Sequence, residues 1–162
     1  VKKADRPNLG LCLDTFQSAG GEWANPVTES GLIEDVNSNQ LANRWKASCD
    51  ELSKTIPRDK IFFLQISDAY KVVPPLPDKP DEGGLRPRGQ WSHDHRPMPY
   101  DGGYLPVEDF TRAVLKTGFR GWLSMEVFDG RGPEKYGDDM GPFAKQAFDS
   151  LQKLLKQAGE SD

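Results

Sequence analysis

At 162 residues with a formal net charge of −4, the chain is sized for one globular domain and lacks the basic surplus of a nucleic-acid binder. Charged residues make up 28% and hydrophobic residues 36%, the balance of a folded domain rather than a disordered one. The longest apolar run, Ile61-Phe62-Phe63-Leu64, falls far short of the roughly 20 residues a membrane span needs. Two cysteines, Cys12 and Cys49, are too few for a disulfide framework. With no signal-peptide pattern at the start, a reducing, cytoplasmic setting is expected.

In chain order, residues 9–14 read as a short buried strand, followed by a long connection over 15–37. Leu41, Trp45, Cys49, Leu52 and Ile56 then recur at helical spacing, with Asn37 and Gln40 as a capping pair and Pro57 as the stop. Residues 60–66 form a second strand, and 67–105 a second, longer connection. Eight of the 13 prolines fall between Pro74 and Pro106, so this connection is expected to be a stiff lid or pocket wall, packed down by Trp91 and Tyr100. Val107, Phe110, Ala113, Val114 and Leu115 predict a helix opened by Pro106 and closed by Gly118. Residues 121–127 give a third strand, and a last helix runs from about 142 to 158.

The order is thus three βα units, which implies a parallel sheet with right-handed crossovers. Links from helix to strand are very short, whereas the first two links from strand to helix are long. In α/β barrels the strand C-termini and the loops that follow them carry the active face. By strand alternation, Gly10, Cys12 and Asp14 share one face, as do Ile61, Phe63 and Gln65, and Trp122, Ser124 and Glu126. Asp14, Gln65 and Glu126 therefore sit at or near three strand ends, where a barrel would converge them. Two carboxylates and an amide oxygen are hard ligands suited to Mg²⁺ or Mn²⁺, with Co²⁺ or Zn²⁺ as further candidates.

Four segments resemble a family. Leu11-Cys12-Leu13-Asp14-Thr15-Phe16-Gln17 is similar to the L-x-L-D-T-F-[HQ] strand of the xylose-isomerase-like TIM barrels. Phe63-Leu64-Gln65-Ile66-Ser67-Asp68-Ala69 resembles the next strand, and Arg96-Pro97-Met98-Pro99-Tyr100-Asp101-Gly102-Gly103 the R-x-x-P-G-x-G segment. The stretch from Gly118 to Phe128 resembles the G-[YF]-x-G-x-[LV]-S-x-E-[VLI]-F ending. Within that superfamily, Gln65 with the residues after it and Ser124-Met125-Glu126-Val127-Phe128 look most like the 3-dehydroshikimate dehydratases, the fungal ones of quinate catabolism in particular.

The resemblance implies a metal-dependent lyase that dehydrates 3-dehydroshikimate to protocatechuate, with Asp14, Gln65 and Glu126 as metal ligands. A fourth ligand of the family, a Glu from an earlier strand, has no counterpart here. Gln17 stands where many relatives carry a His. His93 and His95 are the two histidines present; His95, beside Arg96, is expected to move protons, and Arg96 to clamp a substrate carboxylate. Asp94 and Asp101 are its alternative partners. A sugar isomerase or epimerase on the same scaffold, or a non-catalytic barrel fragment, is the alternative reading, so the expected substrate is a small hydroxy or keto acid or a sugar.

Cys12 reads as an inward-facing filler rather than a nucleophile. Asp68 reads as an orienter of a metal ligand or the cap of the loop after it. Three βα units cannot close an eight-stranded barrel of typically about 250 residues. The chain, opening at Val1, is therefore expected to be the last three units of a (β/α)8 TIM barrel, inactive alone. Its open sheet edges would favour dimerisation or docking with the N-terminal half.

Overall fold

A computed structural model describes residues 6–137 and 139–159; Val1 lies outside them. Strand β1 (Leu11–Asp14) runs directly into helix α1 (Thr15–Glu22), and α2 (Ser38–Thr55) leads to β2 (Ile61–Ile66). The long second connection contains α3 (Pro87–Asp94) and β3 (His95–Arg96) before α4 (Val107–Lys116) and β4 (Trp122–Met125). A two-residue strand β5 (Phe128–Asp129), the short α5 (Gly132–Tyr136) and α6 (Met140–Gly159) complete the chain. Strands β1, β2 and β4 form a parallel sheet in that order, and β3 pairs antiparallel with β5 over the sheet's C-terminal end.

Local chemistry explains the main elements. The Gln40 N–H donates to Asn37 Oδ1 at 3.0 Å and the Asn37 N–H to Gln40 Oε1 at 3.1 Å, a complete capping box for α2. Helix α4 ends at Gly118, whose φ of +86° suits a residue without a side chain. Helices α2, α4 and α6 pack side by side and bury Leu41, Trp45, Val107, Phe110, Val114 and Leu154. Leu64 and Ile66 of β2 are fully buried in the same core.

The strand alternation holds, with one correction. Leu11 pairs with Ile61, but Cys12 pairs with Phe63, so β2 carries an extra residue at this point. The bulge puts Ile61 in the buried core with Leu64 and Ile66, and leaves Phe62 exposed, instead of grouping Ile61 with Phe63 and Gln65. A Cβ on Gly10 would collide with the Phe62 ring, which explains the glycine there. Across the sheet from the helices, the face remains open: Cys12 and Ser124 are exposed and Trp122 is 83% exposed. Among the described residues β1 and β4 each have a single strand neighbour in the sheet.

Two connections are more ordered than their sequence implied. Residues 15–22 are helical because Asp14 caps them, its Oδ1 accepting the Gln17 N–H at 3.0 Å, and because Phe16 and Ala19 are fully buried. The wall formed by 67–105 is pinned by Trp91, also fully buried, whose ring lies 4.8 Å from that of Phe16 and whose Nε1–H donates to the Tyr70 carbonyl at 2.8 Å. Arg88 of α3 donates to the carbonyls of Gln17 and Gly20, each at 2.7 Å, and so closes the C-terminal end of α1.

Asp68 caps the backbone rather than orienting a site residue. Its Oδ1 accepts the N–H groups of Ala69 at 2.7 Å and Leu105 at 2.8 Å, and a Cβ on Gly103 would collide with its carboxyl. Burial outweighs these bonds and pushes the Asp68 carboxyl up from 3.8 to about 6. The folded state therefore binds this proton more tightly than the unfolded chain. Stability contributed by the neutral acid is present below pH ~4 and lost as pH rises through about 6. Thermal unfolding against pH checks this: relative to Asp68→Asn, the wild-type protein should lose up to about 3 kcal/mol between pH 4 and 7. Parallel curves for the two proteins would contradict it.

Candidate active site

The sheet register aligns the polar strand ends. Asp14 pairs with Gln65 and Gln65 with Ser124, and the Glu126 N–H extends the ladder by donating to the Ile66 carbonyl at 2.9 Å. Asp14, Gln65 and Glu126 thus line one cavity of about 470 Å³, together with Gln17, His93 and Arg96. The cavity sits where the strands end and the connections after them begin.

Arg96 is the centre of this site. It is 2% exposed, and its Nη2 donates to Asp14 Oδ2 at 3.1 Å, to Asp14 Oδ1 at 3.3 Å and to Glu126 Oε2 at 2.6 Å. Nε donates to Ser67 Oγ at 3.0 Å and Nη1 reaches Ser92 Oγ at 3.5 Å. The guanidinium also lies 4.5 Å from the centre of the Phe16 ring and 5.6 Å from that of Phe128. Its partners are therefore Asp14 and Glu126, neither Asp94 nor Asp101. Nε and Nη2 of the guanidinium expected to clamp a substrate carboxylate are bonded to Ser67, Asp14 and Glu126, and Nη1 has only the long contact to Ser92.

The two histidines separate. His93 lies near the C-terminal end of α3 and lines the cavity. His95 is not among the cavity's lining residues, and its Nδ1 is buried without a hydrogen-bond partner. Neighbours on a strand face opposite ways, so Arg96 turned toward Asp14 directs His95 away from it. His95, expected to move protons, thus faces away from this cavity, and His93 faces into it. Helix α3 is not legible in the proline-rich stretch, so the sequence does not show that Ser92 and His93, rather than His95, line the cavity.

Cys12 donates its S–H to Gln65 Oε1 at 3.0 Å, fixing which way the amide oxygen points. Burial first, then the charges of Asp14 and Glu126, pushes the Cys12 thiol up from its ordinary value, so it remains a protonated donor rather than a nucleophile. Nearby, Lys135 ties the connection after β4 to the one after β2. Its ammonium contacts Asp101 Oδ2 at 2.7 Å, Asp129 Oδ2 at 2.8 Å and the Tyr70 hydroxyl, which itself donates to Asp129 at 2.9 Å. This cluster holds β5, and with it Phe128, over the site.

For a divalent ion the donor chemistry fits: two carboxylates and an amide oxygen line one cavity at aligned strand ends. Among the described residues no group of three His, Cys, Asp or Glu side chains is gathered to hold an ion, so this chain offers two acidic donors and Gln65 rather than a full acidic shell.

A parallel sheet with helices packed on one face and polar residues gathered at the strand C-termini is the arrangement of a segment of an α/β barrel. The profile of one such family matches residues 1–156, and the chain belongs to it: the xylose isomerase-like TIM barrels. It is 35% identical over 144 residues to a 3-dehydroshikimate dehydratase of Neurospora crassa, covering 83% of this chain and 39% of that protein. Proteins named 3-dehydroshikimate dehydratase in Pseudomonas aeruginosa and Pseudomonas putida are each 28% identical over 155 residues, of which the chain spans 18%.

Among solved structures, a xylose isomerase-like TIM barrel/4-hydroxyphenylpyruvate dioxygenase fusion protein superposes with a TM-score of 0.63 at 27% identity, over 98% of this chain and 19% of that one. The IOLI protein with a binding zinc atom superposes with a TM-score of 0.60 at 19% identity, over 99% of this chain and 42% of that one, a likeness of fold.

Because Arg96 and Asp14 form a buried pair, with side-chain exposures of 3% and 8%, removing one member strands the other charge. Arg96→Met should lower stability by about 3–5 kcal/mol in urea unfolding. A loss below about 1 kcal/mol would show that the pair is not formed as described.

Proposed function

We propose that this chain is part of a 3-dehydroshikimate dehydratase, a lyase that converts 3-dehydroshikimate to protocatechuate. The observation that carries the proposal is the meeting of Asp14, Gln65 and Glu126 on one cavity at the strand ends, in a chain whose curated relatives bear that name. The chain spans 39% of the fungal relative, so the activity belongs to the intact enzyme of which these strands form one part. There the open edges of β1 and β4 and the exposed Trp122 meet the remaining strands of the barrel.

The chemistry suits the site. Removing a proton next to a ketone places negative charge on the carbonyl oxygen, and the β-hydroxyl then leaves. Asp14, Gln65 and Glu126 would hold an Mg²⁺, Mn²⁺ or similar divalent ion, which when bound supplies positive charge beside that oxygen. Arg96 keeps Asp14 and Glu126 facing the cavity, and the Cys12 thiol keeps the Gln65 oxygen turned the same way round. Helix α3, held by Trp91, and Phe128 supply part of the cavity wall. No helix among the described residues is long and apolar enough to cross a membrane, and two free thiols suit the reducing cytoplasm in which we place the enzyme.

The test is turnover by the full-length enzyme loaded with Mg²⁺ or Mn²⁺. Incubation with 3-dehydroshikimate should produce the ultraviolet absorbance of protocatechuate. Chelation should abolish it and restored metal should return it, and Glu126→Gln should lower kcat by about 10²-fold or more. No aromatic product from folded, metal-loaded enzyme would overturn the proposal. Turnover of a sugar by isomerisation or epimerisation instead would assign the site to the other branch of the family.

A further inference from the structure

We infer that His93 is the residue that carries the proton in this site, an inference that rests on the proposed elimination from a keto acid. The cavity must supply a group that removes a proton from carbon and delivers one to the departing hydroxyl. Of its lining side chains, Gln17 and Gln65 are amides and have no proton to exchange near neutral pH. Arg96 stays charged, and its Nη2 occupies oxygens of Asp14 and Glu126. The Cys12 S–H is engaged by the Gln65 oxygen at 3.0 Å. Ser18 and Ser92 are hydroxyls, and Ser92 is already within reach of Arg96. Imidazole is the one side chain on this wall whose ordinary range spans neutral pH.

The backbone holds His93 in place from both sides. Two residues earlier, Trp91 is fully buried and bonded to the Tyr70 carbonyl; one residue later, the Asp94 carbonyl accepts the Gly130 N–H at 2.9 Å. Among the described residues no hydrogen bond or ion pair engages the His93 ring, which leaves both nitrogens available to a substrate. His95, two residues on, lies outside the cavity lining.

In the reaction, a neutral His93 nitrogen accepts the proton from the carbon beside the ketone, and the C–H electron pair becomes the enolate. The enolate re-forms the ketone as the C–O bond of the β-hydroxyl breaks, and imidazolium protonates the departing oxygen to give water. A proton shift from ring carbon to the ketone oxygen then yields the aromatic diol. Atoms and electrons balance with no further reagent, and His93 ends neutral.

The experiment uses the full-length, metal-loaded enzyme with His93→Ala and His93→Gln. Both variants should lose about 10²–10⁴-fold in kcat while KM and the Kd for protocatechuate stay within about threefold. Added imidazole should restore turnover to His93→Ala. A kcat within about threefold of wild type in either variant, or equal losses in turnover and product binding, would overturn the assignment of His93 while leaving the dehydratase reading intact. Failure of the wild-type enzyme itself to form protocatechuate would instead overturn that reading, and this inference with it.

Discussion

Two carboxylates brought to one spot repel each other unless a positive charge lies between them, and in this protein Arg96 supplies it. One guanidinium nitrogen reaches both Asp14 and Glu126, residues 112 positions apart in the chain, while another reaches Ser67 at the end of the middle strand. That single side chain joins all three βα units at their C-terminal ends. Asp14 does double duty, since the same carboxylate caps α1. The order of the site and the order of the helix beside it therefore share one group. Packing follows the same geometry: Phe16, the second residue of α1, supports the Arg96 guanidinium on its ring and meets Trp91 on the wall opposite.

Much of this was legible in the sequence because it depends on local rules. The capping box at Asn37, the glycine that ends α4, the three strands and their parallel order all follow from residue spacing. So did the meeting of Asp14, Gln65 and Glu126, which needs only strand alternation and a common C-terminal face. The resemblance of four ordered segments to the xylose isomerase-like barrels pointed to the family that the profile match shows.

What the sequence hid depends on contacts between distant residues. The extra residue in β2 is invisible until Leu11 and Cys12 are paired against it, and it moves Ile61 to the buried side. Helix α1 contains two adjacent glycines and a weak apolar pattern, and it persists because Asp14 caps one end and Arg88 closes the other. Helix α3 is a short element in a proline-rich segment and owes its position to Trp91. Where that helix ends decides which histidine faces the cavity: His93 lines it and His95 does not. Arg96 lines the cavity, and its partners lie 82 and 30 positions away, so they could not be read from Asp94 or Asp101 nearby.

Arg96 and Asp14 act as one unit at the strand ends. A double-mutant cycle on stability, using Asp14→Asn, Arg96→Met and the pair, measures that coupling directly. The double variant should be more stable than the sum of the single losses implies, by about 1.5–3 kcal/mol. Single losses that add to within about 0.5 kcal/mol would show that the two residues do not interact, and would contradict it.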